Sequence, residues 1–219
     1  MASKLKNTEA ALLENYRVAL ENAESQPEIA QELNEIGYSP EVISEGKAIY
    51  EETRLAYDTN KTEDDETSVA SATFKEKRKE LEDFFIVHRK KARVIFRNDE
   101  VTQEKLAIDH YPSGAYVKWL EQVKKFYTVA ASDTEIQNKL ARLAISVDEI
   151  SQGNTLVSEI ETARANYLRE VGESQDATKA KDQAFMKLAN WMQDFYAVAK
   201  IALEDKPQLL EALGLTIRS

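Results

Sequence analysis

Slid over itself by 107 residues, the sequence pairs positions 13–106 with 120–213 without a gap, and 20 of the 94 pairs are identical. The identities include Leu13/Leu120, Ala23/Ala130, Ile29/Ile136, Leu33/Leu140, Gly46/Gly153, Ala56/Ala163, Leu81/Leu188, Ala92/Ala199 and Leu106/Leu213. Other pairs keep only apolar character, as in Ile36/Leu143, Ile49/Leu156, Phe84/Trp191 and Phe96/Leu203. Core-type residues dominate what is retained, which is the pattern of one fold built twice. The expected organisation is therefore an internal tandem duplication, residues 1–107 and 108–219. The stretch AIDHYPSGA at 107–115, the clearest cluster of turn formers near the midpoint, is the join. A join this short favours packing of the two copies against each other over free tumbling.

The residue types within each copy favour helix. Six Gly and four Pro in the whole chain, among stretches rich in Ala, Leu, Glu and Lys, predict an all-α protein with no regular strand. A first helix is expected over 8–23 and again over 115–131. A second is expected to open with Ser-x-x-Glu capping boxes, Ser25 to Glu28 and Ser132 to Glu135. A third follows Ser39-Pro40, or the Ser146/Glu149 box in the second copy. The polar stretches TEDDETS (62–68) and REVGESQDAT (169–178) are expected to turn the chain into a fourth helix, over 66–97 and 173–204. That reading predicts two related up-and-down four-helix bundles packed together. Gly46 and Gly153 lie on the inward stripe of the third helix in both copies. Mid-helix glycine costs about 1 kcal/mol against alanine, so both are expected where a neighbouring backbone comes close.

The segment YVKWLEQVKKFY (116–127), together with the two glycine-bearing helices, resembles a set of uncharacterised, duplicated, all-helical bacterial proteins of about this length with no assigned activity. The resemblance spans most of the chain and contains no chemical motif, so it implies a helical fold and no reaction.

The sequence excludes several chemistries. There is no cysteine, hence no disulfide, no thiolate nucleophile and no Cys-ligated metal. The two histidines, His88 and His110, are preceded three residues earlier by Phe85 and Ala107, so the Glu-x-x-His pair of di-iron bundles is missing. No phosphate loop, dinucleotide fingerprint or nucleophile elbow occurs. No metal, no cofactor and no catalytic residue is therefore expected. His88 reads as a packed, hydrogen-bonded residue and His110 as a solvated one. The acidic pairs Glu51/Glu52, Asp64/Asp65 and Asp148/Glu149 read as solvated surface. The N-terminus has no signal-peptide pattern and no segment approaches 18 uninterrupted apolar residues, so a cytoplasmic protein with no membrane contact is expected.

With a formal charge of -10 the chain repels nucleic acid on average, so nucleic acid is an unexpected partner. Yet HRKKARVIFR (88–97) is basic. Lys90, Arg93 and Arg97 fall on the outer side of their helix with Lys75 and Lys79, and Arg89 at its boundary. The second copy has Tyr196, Ala197, Val198, Lys200 and Glu204 where Arg89, Lys90, Lys91, Arg93 and Arg97 stand, so the fold does not require the patch. Arg89, Lys90, Arg93 and Arg97 are candidate anion-binding residues. Cations also offset the dipole of a helix C-terminus, which is the plain structural alternative. Ile86 and Val87 make their helix apolar on every side, whereas the matching Gln193 and Asp194 do not, and this marks them as candidate interface residues.

These observations favour a non-enzymatic helical binding or scaffold protein whose partner is another protein or a second copy of itself. Two alternatives stand beside it. One is an enzyme or cofactor binder with a site between the two repeats, lined by Tyr50, Tyr57, Trp119, Tyr167 and Trp191. The other is anion or nucleic-acid binding through residues 89–97.

Overall fold

The structure is a computed structural model that describes residues 8–216, and among the described residues it contains helices and no strand. Seven α-helices follow in order: α1 (Glu9–Ser25), α2 (Pro27–Glu35), α3 (Pro40–Ile95), α4 (Glu100–Lys105), α5 (Tyr116–Ser132), α6 (Thr134–Ala141) and α7 (Val147–Ala202). A 3-10 helix, Pro207–Leu213, closes the described chain. Each element from α5 onward begins 107 residues after its counterpart among α1 to α4.

Local chemistry accounts for most of the helix starts. The Thr8 hydroxyl accepts the Ala11 amide to begin α1. Pro27 occupies the first turn of α2, where a missing N–H costs nothing. Ahead of α7, Ser146 and Glu149 form the expected reciprocal box, each accepting the other's backbone amide at 2.7 and 3.1 Å. The other two boxes do not form. Gln26, with no side-chain bond, is the N-cap of α2. At α6 the shorter Asp133 carboxylate takes the Glu135 and Ile136 amides instead, while the Ser132 hydroxyl donates back to the Val129 carbonyl.

The expected turns at 62–68 and 169–178 are absent. α3 and α7 are each continuous for 56 residues. Residues 62–68 contain neither Gly nor Pro, so nothing breaks the helix. Their polarity serves contacts between the two long helices. The Thr67 hydroxyl donates to the Glu170 carbonyl at 3.0 Å, and the Ser174 hydroxyl to the Asp64 carboxylate at 2.7 Å.

The chain divides into two compact units that cut across the two sequence copies. One comprises residues up to 64 with those from 173 onward, and the other comprises 65–172. In the first unit, buried Ile43, Gly46, Tyr50, Thr53, Tyr57 and Asn60 alternate at spacings of three and four, the seam along which two helices pack for many turns. Here α3 meets α7 antiparallel. Thr53 donates to the Ala184 carbonyl and Asn60 to the Thr178 hydroxyl, both at 3.1 Å, and Lys187 pairs with Glu52. Leu13, Leu20, Ile29 and Leu33 of α1 and α2 complete this core with Leu188, Met192, Phe195, Ala199 and Leu203. The Asn22 amide holds the 3-10 helix through the Ala212 carbonyl at 2.7 Å.

In the second unit Leu81, Phe85, Ala92 and Phe96 of α3 pack with Trp119, Val123, Phe126 and Tyr127 of α5 and with Ile150, Val157 and Ile160 of α7. The linker is anchored here as well, because Ile108 is fully buried.

Candidate functional site

From Phe84 to Asn98 the chain carries five Lys or Arg and no carboxylate, in a protein with 39 acidic residues. The structure separates those five cations by role. Arg89 is only 8% exposed. Its guanidinium donates to the Ile108 carbonyl at 3.3 Å and to that of His110, and lies 5.8 Å from the centre of the Tyr111 ring. Burial, with Arg93 nearby, holds its pKa below the ordinary arginine value. Arg89 thus fastens the linker. Lys91 donates to the carbonyl of Ala144, at the C-terminal end of α6.

Lys90, Arg93 and Arg97 are exposed and make no ion pair with a described carboxylate. Val87 and Val94, also exposed, share their face of the helix, since positions 87, 90, 94 and 97 recur at helical spacing. Ile86 is half-buried. Past the end of α3 this face opens into a recess of about 620 Å³ lined by Val94, Arg97, Asp99, Lys139, Arg142 and Leu143, among others. Its one carboxylate, Asp99, is engaged by the Thr102 hydroxyl and amide at 2.7 and 3.0 Å, which hold it below the usual carboxylate range. Lys139 pairs with Glu135 at 2.9 Å and lies over the Phe96 ring. Arg142 has no such partner. The result is a surface with free cations between aliphatic side chains. It can attract an acidic group from a distance and desolvate it against valine and leucine on contact.

Arg142 and Leu143 were not legible as part of this face. They lie in the turn that follows α6 and join α3 only through the fold. A signal for them exists in the repeat: positions 35 and 36, their counterparts 107 residues earlier, are Glu and Ile.

The remaining candidates are structural. His88, 2% exposed, places Nδ1 3.1 Å from the Tyr127 hydroxyl and Nε2 3.9 Å from a Glu149 carboxylate oxygen, with the Phe84 ring 4.4 Å away. Burial lowers its pKa, with Glu149 opposing and Lys91 assisting. His110 is exposed. Gly46 and Gly153 do sit at close approaches, but the neighbour is an aromatic ring where a backbone was expected. A Cβ at Gly46 would enter the ring of Trp191, and one at Gly153 that of Tyr127. The five aromatic residues considered as a groove do not converge. Tyr50, Tyr57 and Trp191 belong to the core of one unit, Trp119 to that of the other, where Tyr167 stacks on Phe74.

No described helix is long and apolar enough to cross a membrane. Comparison with protein-family models, curated proteins and solved structures gave no match.

Proposed function

We propose that this chain is a non-enzymatic, cytoplasmic helical binding or scaffold protein, and that its second unit presents the binding surface: the basic, aliphatic face of Lys90, Arg93 and Arg97 with Val87 and Val94. The observation that carries the reading is the set of exposed, unpaired cations in a 15-residue stretch free of carboxylates, on a chain whose net charge is -10. Other cations of the chain stand among counter-charges, as Lys77 does with Glu80 and Glu159 and Lys206 with Glu28 and Glu32. An acidic protein surface fits better than nucleic acid, because valines stand between the cations where stacking rings would serve bases.

The reading includes an origin by tandem duplication into two related helical bundles. The 107-residue recurrence of element starts supports it, with the 20 identities at the same offset. On this view the basic face is a later specialisation of one copy, since Ala197, Lys200 and Glu204 at the matching positions keep only one of its three cations.

The test is retention on heparin as a surrogate polyanion. The parent is expected to bind at low salt and to elute steeply as ionic strength rises. The triple variant K90Q/R93Q/R97Q is expected to flow through while melting within a few degrees of the parent. A parent that flows through at low salt overturns the reading.

A further inference from the structure

The basic recess has a counterpart in the first unit with its charge inverted. α2 and α6 end alike, with Gly37 and Ala144 at positive φ and backbone bonds from Tyr38 to Leu33 and from Ile145 to Leu140. α3 and α7 end at matching positions, Ile95 and Ala202; beyond them Arg97 lines one recess with Arg142, and Lys206 pairs with Glu28 and Glu32 of α2. The aliphatic residues of the two surfaces correspond and stay exposed. Val94 (62%) matches Ile201 (67%), and Leu143 (38%) matches Ile36 (43%).

Two charged positions correspond with opposite sign, while Arg93 keeps its sign in Lys200. Arg97 matches Glu204 and Arg142 matches Glu35, while neutral Val87 and Asn98 match Asp194 and Asp205. All four acids are exposed and make no ion pair with a described cation; the Glu35 carboxylate accepts only the Gln31 amide, at 3.1 Å. Lys200, the exposed counterpart of Arg93, keeps its charge beside the four acids and leaves that surface net negative, and the other two lysines are paired. Lys139 is held by Glu135, and Lys206 by Glu28 and Glu32.

We infer that these two surfaces are partners, and that the chain associates with further copies of itself by docking the basic Val94/Leu143 face of one copy on the acidic Ile201/Ile36 face of the next. The inference rests on reading the basic face as a protein-binding surface and names its occupant. Both faces are exposed in the single chain, so each is available to a second copy. Two aliphatic pairs supply the apolar contact, and complementary charges supply orientation and exclude like-with-like pairing. Because the two surfaces differ, a pair of chains leaves one of each unused. Association is then heterologous and continues past the dimer unless a ring closes.

Sedimentation velocity of the full chain tests this, from low micromolar to millimolar concentration, at low and at high salt. The parent is expected to form species larger than a monomer at low salt and to dissociate at high salt. The reversed variants R97E/R142E and E35R/E204R should each associate at least about tenfold more weakly, and an equimolar mixture should recover association, because each then supplies the charge the other lacks. R97Q/R142Q, checked for an unchanged helical melt, gives the same loss without placing new charge on the fold. A parent that stays monomeric at low salt and high concentration, variants that associate as the parent does, or a mixture that fails to recover would each overturn the proposal. Heparin retention of the same parent sample separates the two readings: a monomer that is retained sinks self-docking alone, and a monomer that flows through sinks both.

Discussion

His88 shows how one buried residue couples this protein to pH. Its ring is enclosed by Phe84, bonded to the Tyr127 hydroxyl and close to Glu149, and burial places its folded pKa below the ordinary value near 6.5. The unfolded chain therefore takes up this proton first. The stability that comes from keeping His88 neutral is fully present above about pH 6.5 and is lost as pH falls below it. Urea denaturation between pH 8 and 5 should show that loss in the parent. His88→Phe, which installs the residue type found at the matching position 195, should flatten the curve over this window, at a cost at pH 8 because the Tyr127 hydroxyl loses its partner. Equal slopes for both proteins would show that His88 does not titrate on unfolding.

At the scale of the elements, the glycines decide how closely helices can approach an aromatic side chain. Tyr127 is wholly buried and has nowhere to move, whereas Trp191 lies at the edge of its core. Gly153→Ala is expected to destabilise by about 2 kcal/mol, overpacking outweighing the roughly 1 kcal/mol gain in helix propensity. Gly46→Ala should cost clearly less, as Trp191 swings outward. Thermal melts of the two variants check the ranking, and equal effects would contradict it. The starts of α1, α3, α5 and α7, the apolar stripes and the inward position of both glycines were legible in the sequence because they depend on spacing along one helix. The identity of the rings was not. In one unit the ring comes from α5 and in the other from α7, so the two glycines meet rings carried by different elements. The unbroken course of α3 was equally hidden, because polar residues such as Thr67 and Ser174 read as a turn until their partners on the opposite helix are known.

At the scale of the whole molecule, the repeat and the compact units are different partitions, and this leads to an unusual expectation for fragments. All of the buried cluster from Leu81 to Ile160 lies within residues 65–172, while the other cluster needs both ends of the chain. A fragment of residues 65–172 should therefore be helical and melt cooperatively, and a fragment of residues 1–107, one full sequence copy, should not, since it holds only part of each core. Circular dichroism of the two fragments decides; a cooperative 1–107 beside an unfolded 65–172 would refute the division. The candidate face follows the same logic. Lys90, Arg93 and Arg97 could be placed from their helix alone, but Arg89 drops out once the linker carbonyls find it, and Arg142 enters only when α6 is brought alongside α3.

This interleaving also sets an order of assembly during synthesis. Leu13, Leu20, Ile29 and Leu33 share their core with Ile43, Tyr50 and Tyr57, made soon after them, but the other half of that core runs from Phe185 to Leu213. At about 5–20 residues per second, the 108 residues from 65 to 172 occupy roughly 5–20 seconds before that complement starts to appear. Residues 65–172 can thus be finished while the helices before them still lack half of their core. A nascent protein of this design would need that exposed half-core shielded, by a chaperone or by the ribosome surface, until the residues from Phe185 onward are made.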